Sequence, residues 1–155
     1  MATEIFSRAE RNFGDQWAAI PGLHPFFGWP SYRLFGFLAN VRNYSAVEPI
    51  SHPRGLPPGI ELPSSDFDGP DEAWLGEHDH SWLLLSELQA IDFDRIVEDR
   101  RTTGKVDGLR RGNLTAPVGE GVKMTLREFL GVEFFEELDR LEKAGAERIV
   151  FGFGS

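Results

Sequence analysis

A chain of 155 residues, 41% hydrophobic and 26% charged, has the size and composition of one globular domain, residues 1–155, around one core. It has no cysteine, which excludes disulfides, cysteine–zinc sites and thiol catalysis. A formal net charge of −9 argues against non-specific nucleic-acid binding, which needs a basic face.

Glu4 precedes any apolar run, so no secretory leader is expected. The longest unbroken apolar run, Trp82 to Leu85, is far short of the roughly 20 residues a membrane helix needs. These features predict a cytoplasmic protein with no membrane partner, and leave a homo-oligomer open. Thirteen Phe and four Trp predict a largely aromatic core, and such rings also stack planar ligands.

Residues Thr3 to Phe13 read in two ways. Thr3 could cap a helix carrying Ile5, Phe6, Ala9 and Phe13, or Asn12-Phe13-Gly14-Asp15 could join strands Glu4–Arg11 and Gln16–Ile20. Pro21 to Pro30 is broken by Pro and Gly into a loop whose Phe26, Phe27 and Trp29 are expected to cover the core. Ser31 then caps a helix from about Tyr32 to Arg42, with Leu34, Phe35, Leu38 and Val41 on its apolar side.

Asn43 to Pro70 holds Pro49, Pro53, Pro57, Pro58, Pro63 and Pro70, each with fixed φ and no amide donor. The segment is expected to be one long ordered loop, a lid or wall stiffer than a tether. Ser81 to Leu85 reads as a short strand or extended lead-in, and Ser86 to about Ile91 as a helix. Arg95 to Arg111 is the basic segment, turn-rich around Thr102–Lys105 and Arg110–Asn113.

Thr125-Leu126-Arg127-Glu128 is a capping box ahead of Phe129, and Phe134, Phe135, Leu138 and Leu141 continue the stripe after a break at Gly131. Lys143 and Gly145 are stop signals. Ile149, Phe151 and Phe153 alternate along a terminal strand. The segment Leu84–Phe93 echoes Thr125–Phe134 without gaps, as two similar helix starts would. The first copy has Leu84 where Thr125 supplies a hydroxyl, so its first-turn amides need another partner, with His80 or Ser81 as the expected cap.

His78-Asp79-His80 is the densest polar cluster. In an extended strand the two imidazoles point the same way, ready to act as acid and base near neutral pH. A third metal ligand at motif spacing is missing, so neither metal nor cofactor is expected. Arg42-Asn43 and Arg54-Gly55 offer guanidiniums able to clamp a carboxylate or phosphate. His24 and His52 read as structural. Arg100, Arg101, Lys105, Arg110 and Arg111 could hold an anion, but no glycine-rich nucleotide motif accompanies them. Asp66 and Asp68 lack an EF-hand continuation.

Three stretches resemble a family of small phage and bacterial proteins without an established activity: Tyr32–Asn43 ending Val-Arg-Asn, Pro49–Pro57 with Pro53-Arg54-Gly55-Leu56-Pro57, and His78-Asp79-His80-Ser81-Trp82-Leu83 with Glu87-Leu88. Arg148-Ile149-Val150-Phe151 is similar to that family's closing strand. Order and spacing agree over roughly residues 32 to 93 and the C-terminal strand. Asp79 stands for the commoner Ser, Leu84 for the capping Thr, and the Pro-rich loop leads into a more acidic segment. The resemblance implies an N-terminal strand pair, favouring the hairpin, and a host-cytoplasm setting in which counter-defence roles are common.

The fold expected is α+β: a small, mainly antiparallel sheet, short packed helices and one long Pro-rich loop. The expected function is binding of a small polar, phosphorylated or nucleotide-derived ligand by Arg42, Asn43, Arg54, His80, Ser81 and Trp82, with Trp82 or Trp29 stacking. The alternatives are a hydrolase or phosphodiesterase using His78 and His80, and an acidic inhibitor presenting Glu133, Glu136, Glu137, Asp139 and Glu142 to a protein partner.

Overall fold

The two ends of the chain pair at the centre of the sheet. In a computed structural model, residues 3–20, 27, 31–60, 74–106 and 109–154 are described. The elements run β1 (Glu4–Phe13), β2 (Gln16–Ala19), α1 (Tyr32–Ala39), β3 (His78–Leu84), α2 (Leu85–Gln89), β4 (Ile96–Asp99), β5 (Arg101–Val106), β6 (Leu109–Thr115), β7 (Val122–Thr125), α3 (Leu126–Leu130), α4 (Val132–Lys143) and β8 (Arg148–Gly154). Four strands form an antiparallel sheet in the order β2-β1-β8-β3, while β4–β7 and β5–β6 are separate antiparallel pairs. The fold is α+β, as expected.

The N-terminal segment is the hairpin rather than the helix. Phe13 pairs with Gln16, leaving Gly14-Asp15 as a two-residue loop in which Gly14 alone has positive φ, at 73°. That is the type II′ arrangement, which needs Gly at its first position.

In β1–β8 pairing, Ile5 faces Phe153, Ser7 faces Phe151 and Ala9 faces Ile149. This face receives α1 and α4: Phe35 meets Phe153 edge-on at 5.1 Å, and Phe37 meets Phe134 at 5.9 Å. Phe27 stacks on Phe134 at 5.4 Å and is fully buried, so it belongs to the core itself. Burial of Leu34, Phe35, Phe37 and Leu38 contributes about 1.5–3 kcal/mol each.

The opposite face of β8 is closed differently. Gly152 passes beneath Leu75 and His80, and a Cβ there would overlap the Leu75 carbonyl and lie 2.6 Å from His80 Cδ2. Further along this face Glu10 accepts from Arg148 and pairs with Arg8 at 3.0 Å, and the Arg148 guanidinium lies 4.0 Å from the Trp17 ring. Glu10 and Arg148 are both buried, and they tie the first strand to the last.

Ser31 caps α1 by accepting from the Leu34 amide at 3.3 Å. The helix is shorter than its apolar spacing suggests, stopping at Ala39 instead of Arg42. Asn40 takes the left-handed conformation (φ 60°) and its amide donates to the Gly36 carbonyl, which ends the helix.

The described part of the Pro-rich loop, residues 43–60, is tied down. Ile50 N–H donates to the Phe37 carbonyl at 2.8 Å, Arg54 N–H to Ser81 Oγ at 3.0 Å, and Gly55 N–H to the His80 carbonyl at 2.8 Å. The last two cover β3, an edge strand whose polar groups would otherwise be open to pairing.

At the β3–α2 junction the expected cap is not there. Leu84 is the N-cap and has no side-chain acceptor; Glu87 Oε1 accepts from the Leu84 amide at 3.0 Å, and the Leu85 amide donates to the Glu147 carbonyl at 2.9 Å. Ser81 Oγ is occupied by Arg54 and His80 by the Gly76 carbonyl, so neither serves the helix. The echo at Thr125 has the full box, with Thr125 Oγ1 accepting from the Glu128 amide at 3.1 Å, and Leu126 N–H donating to the Arg95 carbonyl. Both copies are strands that run directly into a five-residue helix.

The basic segment is also more regular than its turn-forming composition suggests. Thr102–Lys105 and Arg110–Asn113 lie within β5 and β6, cross-strand pairs of one hairpin, with an irregularity between Thr103 and Lys105. Cross-strand hydrogen bonding overrides local turn preference there. His24, Phe26, Trp29, residues 61–70 with Pro63, Asp66, Asp68 and Pro70, and the side chains of Lys105, Arg110 and Arg111 lie outside the described residues.

Candidate functional site

A polar, aromatic cavity of about 500 Å³ opens where the start of α1, the loop that follows that helix, the start of β5 and Phe129 of α3 meet. Its lining is Ser31, Tyr32, Arg33, Arg42, Asn43, Tyr44, Ser45, Arg101 and Phe129.

The loop that shapes it is strained. Asn40, Arg42 and Ala46 all have φ between 50° and 60°, a conformation unfavourable for residues with a Cβ. Asn43 holds this loop closed: its Oδ1 accepts from the Val47 amide at 3.1 Å, and its Nδ2 donates to Val47 O at 2.7 Å and Asn40 Oδ1 at 2.9 Å. Gly36 lets Asn43 approach the helix, since a Cβ there would lie 2.7 Å from Asn43 Oδ1.

Asp99, at the end of β4, organises the floor. It is 5% exposed and pairs with Arg33; its Oδ1 accepts from Ser45 Oγ at 3.1 Å and from the Arg101 amide at 3.1 Å. Ser45 Oγ in turn accepts from the Arg100 amide at 2.9 Å.

Three guanidiniums surround the cavity, and the rings hold them. Arg101 lies 4.1 Å from the Tyr44 ring centroid and 5.6 Å from Tyr32, Arg42 lies 5.9 Å from Tyr32, and Arg33 lies 5.4 Å from Phe129. Arg42 Nε donates to Thr3 Oγ1 at 3.0 Å and Nη1 to Tyr44 Oη at 3.2 Å. That hydrogen bond, reinforced by Arg101 and opposed by burial, holds the Tyr44 hydroxyl below the ordinary phenol range. Among the described residues, neither Arg42 nor Arg101 has a carboxylate partner, and the shielded Arg101 Nη1 has no hydrogen-bond acceptor. In a chain of net charge −9, this is a concentrated positive site.

Of the sequence-predicted ligand residues, only Arg42 and Asn43 line this cavity, and the Asn43 amide is spent on the loop. Arg54, His80, Ser81 and Trp82 come together elsewhere, on the β3 edge. Arg54 forms a two-point pair with Glu87 at 2.8 and 2.6 Å, donates to the Trp82 carbonyl at 3.1 Å and stacks 4.7 Å from the Trp82 ring. The Arg54 guanidinium, opposed by burial, holds the Glu87 carboxyl below its usual range. These groups meet one another's bonding needs and read as the clamp that fastens the loop to β3. Trp82 already carries a guanidinium where a ligand ring was expected.

His78 and His80 do not point the same way. A β-bulge between His78 and Ser81, with Asp79 at φ 52°, inserts one extra residue into β3. His78 stacks against Phe153 and contacts Asp79 Oδ2 at 2.7 Å, whereas His80 lies over Gly152 on the other face with Nε2 3.0 Å from Gly76 O. Adjacent positions on β8 face opposite sides, so the two imidazoles are divided by the sheet. Among the described residues, no three His, Cys, Asp or Glu side chains gather as a metal site.

The acidic side chains of α4 are partly engaged: Glu137 Oε2 accepts from the Phe27 amide at 3.2 Å and pairs with Arg140, and Asp139 pairs with Lys143 at 2.7 Å. A second cavity of about 590 Å³ lies over the Arg8–Glu10–Arg148 cluster, between Trp17 on β2 and the Pro58–Ile60 segment. No helix among the described residues is long and apolar enough to cross a membrane.

The sequence reading missed Tyr32, Arg33, Tyr44, Ser45 and Asp99 as parts of a site, and had Arg101 as one of five basic residues able to hold an anion, apart from Arg42. Arg42 and Tyr44, two residues apart beside a helix end, carried a local signal. Asp99 carried none, because its role is a long-range contact. Comparison with protein-family models, curated proteins and solved structures returns no match.

Proposed function

We propose that this protein binds a small phosphorylated ligand, of the nucleotide-derived kind, in the cavity formed by Arg33, Arg42 and Arg101. The observation that carries the reading is the pair Arg42 and Arg101: two guanidiniums beside one 500 Å³ cavity, with no carboxylate partner among the described residues. Guanidinium forks match phosphate oxygens in geometry as well as charge. The strained loop and the Asp99 anchor support a pre-formed site, which lowers the ordering cost of binding. In the setting that the family resemblance implies, such a binder acts in the host cytoplasm by withdrawing a signal from its receptor.

Native mass spectrometry of protein purified from cells, followed by calorimetric titration with ATP and inorganic tripolyphosphate, tests this reading. Binding that weakens at least about tenfold in Arg42→Ala and Arg101→Ala, and falls steeply with salt, is expected. Wild-type protein that binds neither probe at millimolar concentration would refute it.

A further inference from the structure

Among the described residues, each aromatic ring that lines the cavity already has a guanidinium against it: Tyr44 has Arg101, Tyr32 has Arg101 and Arg42, and Phe129 has Arg33. Tyr32 is further flanked by Phe35 at 5.8 Å and Tyr44 at 6.0 Å, and Phe129 is 2% exposed. These rings therefore position cations instead of offering faces to a base. The remaining chemistry is donor-rich: the exposed Arg42, whose Nη2 lies outside its bonds to Thr3 and Tyr44, the Arg101 guanidinium that lines the cavity, and the Tyr44 hydroxyl beside them.

We infer that the cavity recognises the phosphate chain of its ligand and is indifferent to the base. The ligand class is then a polyphosphate, whether carried by a nucleoside or not, and this rests on the phosphate-binding reading above. Two arginines held against the same pair of tyrosines suit adjoining phosphoryl groups, each taking a share of the charge. A base stacked on an open ring would instead favour a nucleoside triphosphate over tripolyphosphate by roughly 5- to 150-fold.

Isothermal titration of the wild-type chain with ATP, GTP, CTP, UTP, inorganic tripolyphosphate, AMP and adenosine decides the matter. The four triphosphates and tripolyphosphate should agree within about threefold, AMP should bind at least about tenfold more weakly, and adenosine should give no heat. A preference above about tenfold for one base, or for ATP over tripolyphosphate, would overturn base indifference while leaving the cavity a nucleotide site. Saturable binding of adenosine would overturn it in the same way. Absence of binding by all seven probes would instead remove the phosphate-binding reading, and this inference with it. Arg101→Lys adds a check on the ring-held fork: charge remains but the planar stack is lost, so tripolyphosphate and ATP should weaken by the same factor. Weakening of ATP alone would mean that Arg101 and Tyr44 read the base.

Discussion

Replacing Asp99 tests how the site is built. Its side chain is 6% exposed; Oδ1 accepts from Ser45 and from the Arg101 amide, and Oδ2 faces Arg33. Asp99→Asn keeps Oδ1 but turns an N–H donor towards the guanidinium. Because Arg33 is 47% exposed and can turn into water, the lost ion pair is worth about 0.5–1 kcal/mol after solvent screening. The new amide, buried without an acceptor, costs about 1–3 kcal/mol. The expected loss is therefore about 1.5–4 kcal/mol, or a melting temperature lower by roughly 3–16 °C for a chain of this size. Asp99→Ala strands the Ser45 hydroxyl and the Arg101 amide instead, at about 1–3 kcal/mol each on top of the lost pair, so it should be the more damaging. Urea unfolding at unchanged slope measures both. Tripolyphosphate affinity separates them further: Asn keeps the anchors and removes one negative charge, so binding should not weaken, whereas Ala releases the loop and should weaken it. Equal urea midpoints for wild type and both variants would refute the claim that Asp99 anchors the cavity.

Three further outcomes follow from named contacts. Glu87 has a folded pKa below its ordinary value of 4.5, held there by Arg54, so its stabilising contribution is present above that value and is lost as pH falls through the folded one. The stability gap between wild type and Glu87→Gln, followed by urea midpoints from neutral pH into acid, should close below the ordinary value; a gap constant throughout would remove Arg54 as its cause. Glu10→Gln leaves Arg148 buried beside an amide and should cost about 3–5 kcal/mol in urea unfolding, while the paired Glu10→Met/Arg148→Met change should recover most of it. A loss under about 1 kcal/mol for the single variant would mean that water reaches the cluster. Tyr44 is depressed below the ordinary phenol value of 10.0, so its phenolate forms, opposes bound phosphate and competes for Arg42 as pH rises towards that range. Tripolyphosphate affinity of wild type relative to Tyr44→Phe should therefore decline with rising pH, and a constant ratio would place Tyr44 outside the binding site.

Local signals along the chain were reliable where one or two residues decide the structure. Ser31 and Thr125 cap helices, Gly131 and Gly145 interrupt them with positive φ, and Ile149, Phe151 and Phe153 share the core face of β8. Arg42 was recognisable as an exposed cation beside a helix end. The sequence by itself therefore determined the α+β class, most elements and the core-facing residues, because capping, glycine conformation and side-chain alternation act within a few residues.

Tertiary structure decided the rest. The bulge at Asp79 sends His78 and His80 to opposite faces, undoing an alternation that holds only in a regular strand. Arg54, paired with Arg42 by the sequence reading, is taken up by Glu87, 33 residues away. Asp99 brings Ser45, Arg33 and Arg101 together across 54 and 66 residues of chain, and only then do Tyr44 and Arg101 become neighbours. A site assembled by long-range hydrogen bonds to one buried carboxylate leaves no periodicity or spacing to read, since its geometry exists only once β4 has come against α1 and the loop that follows it.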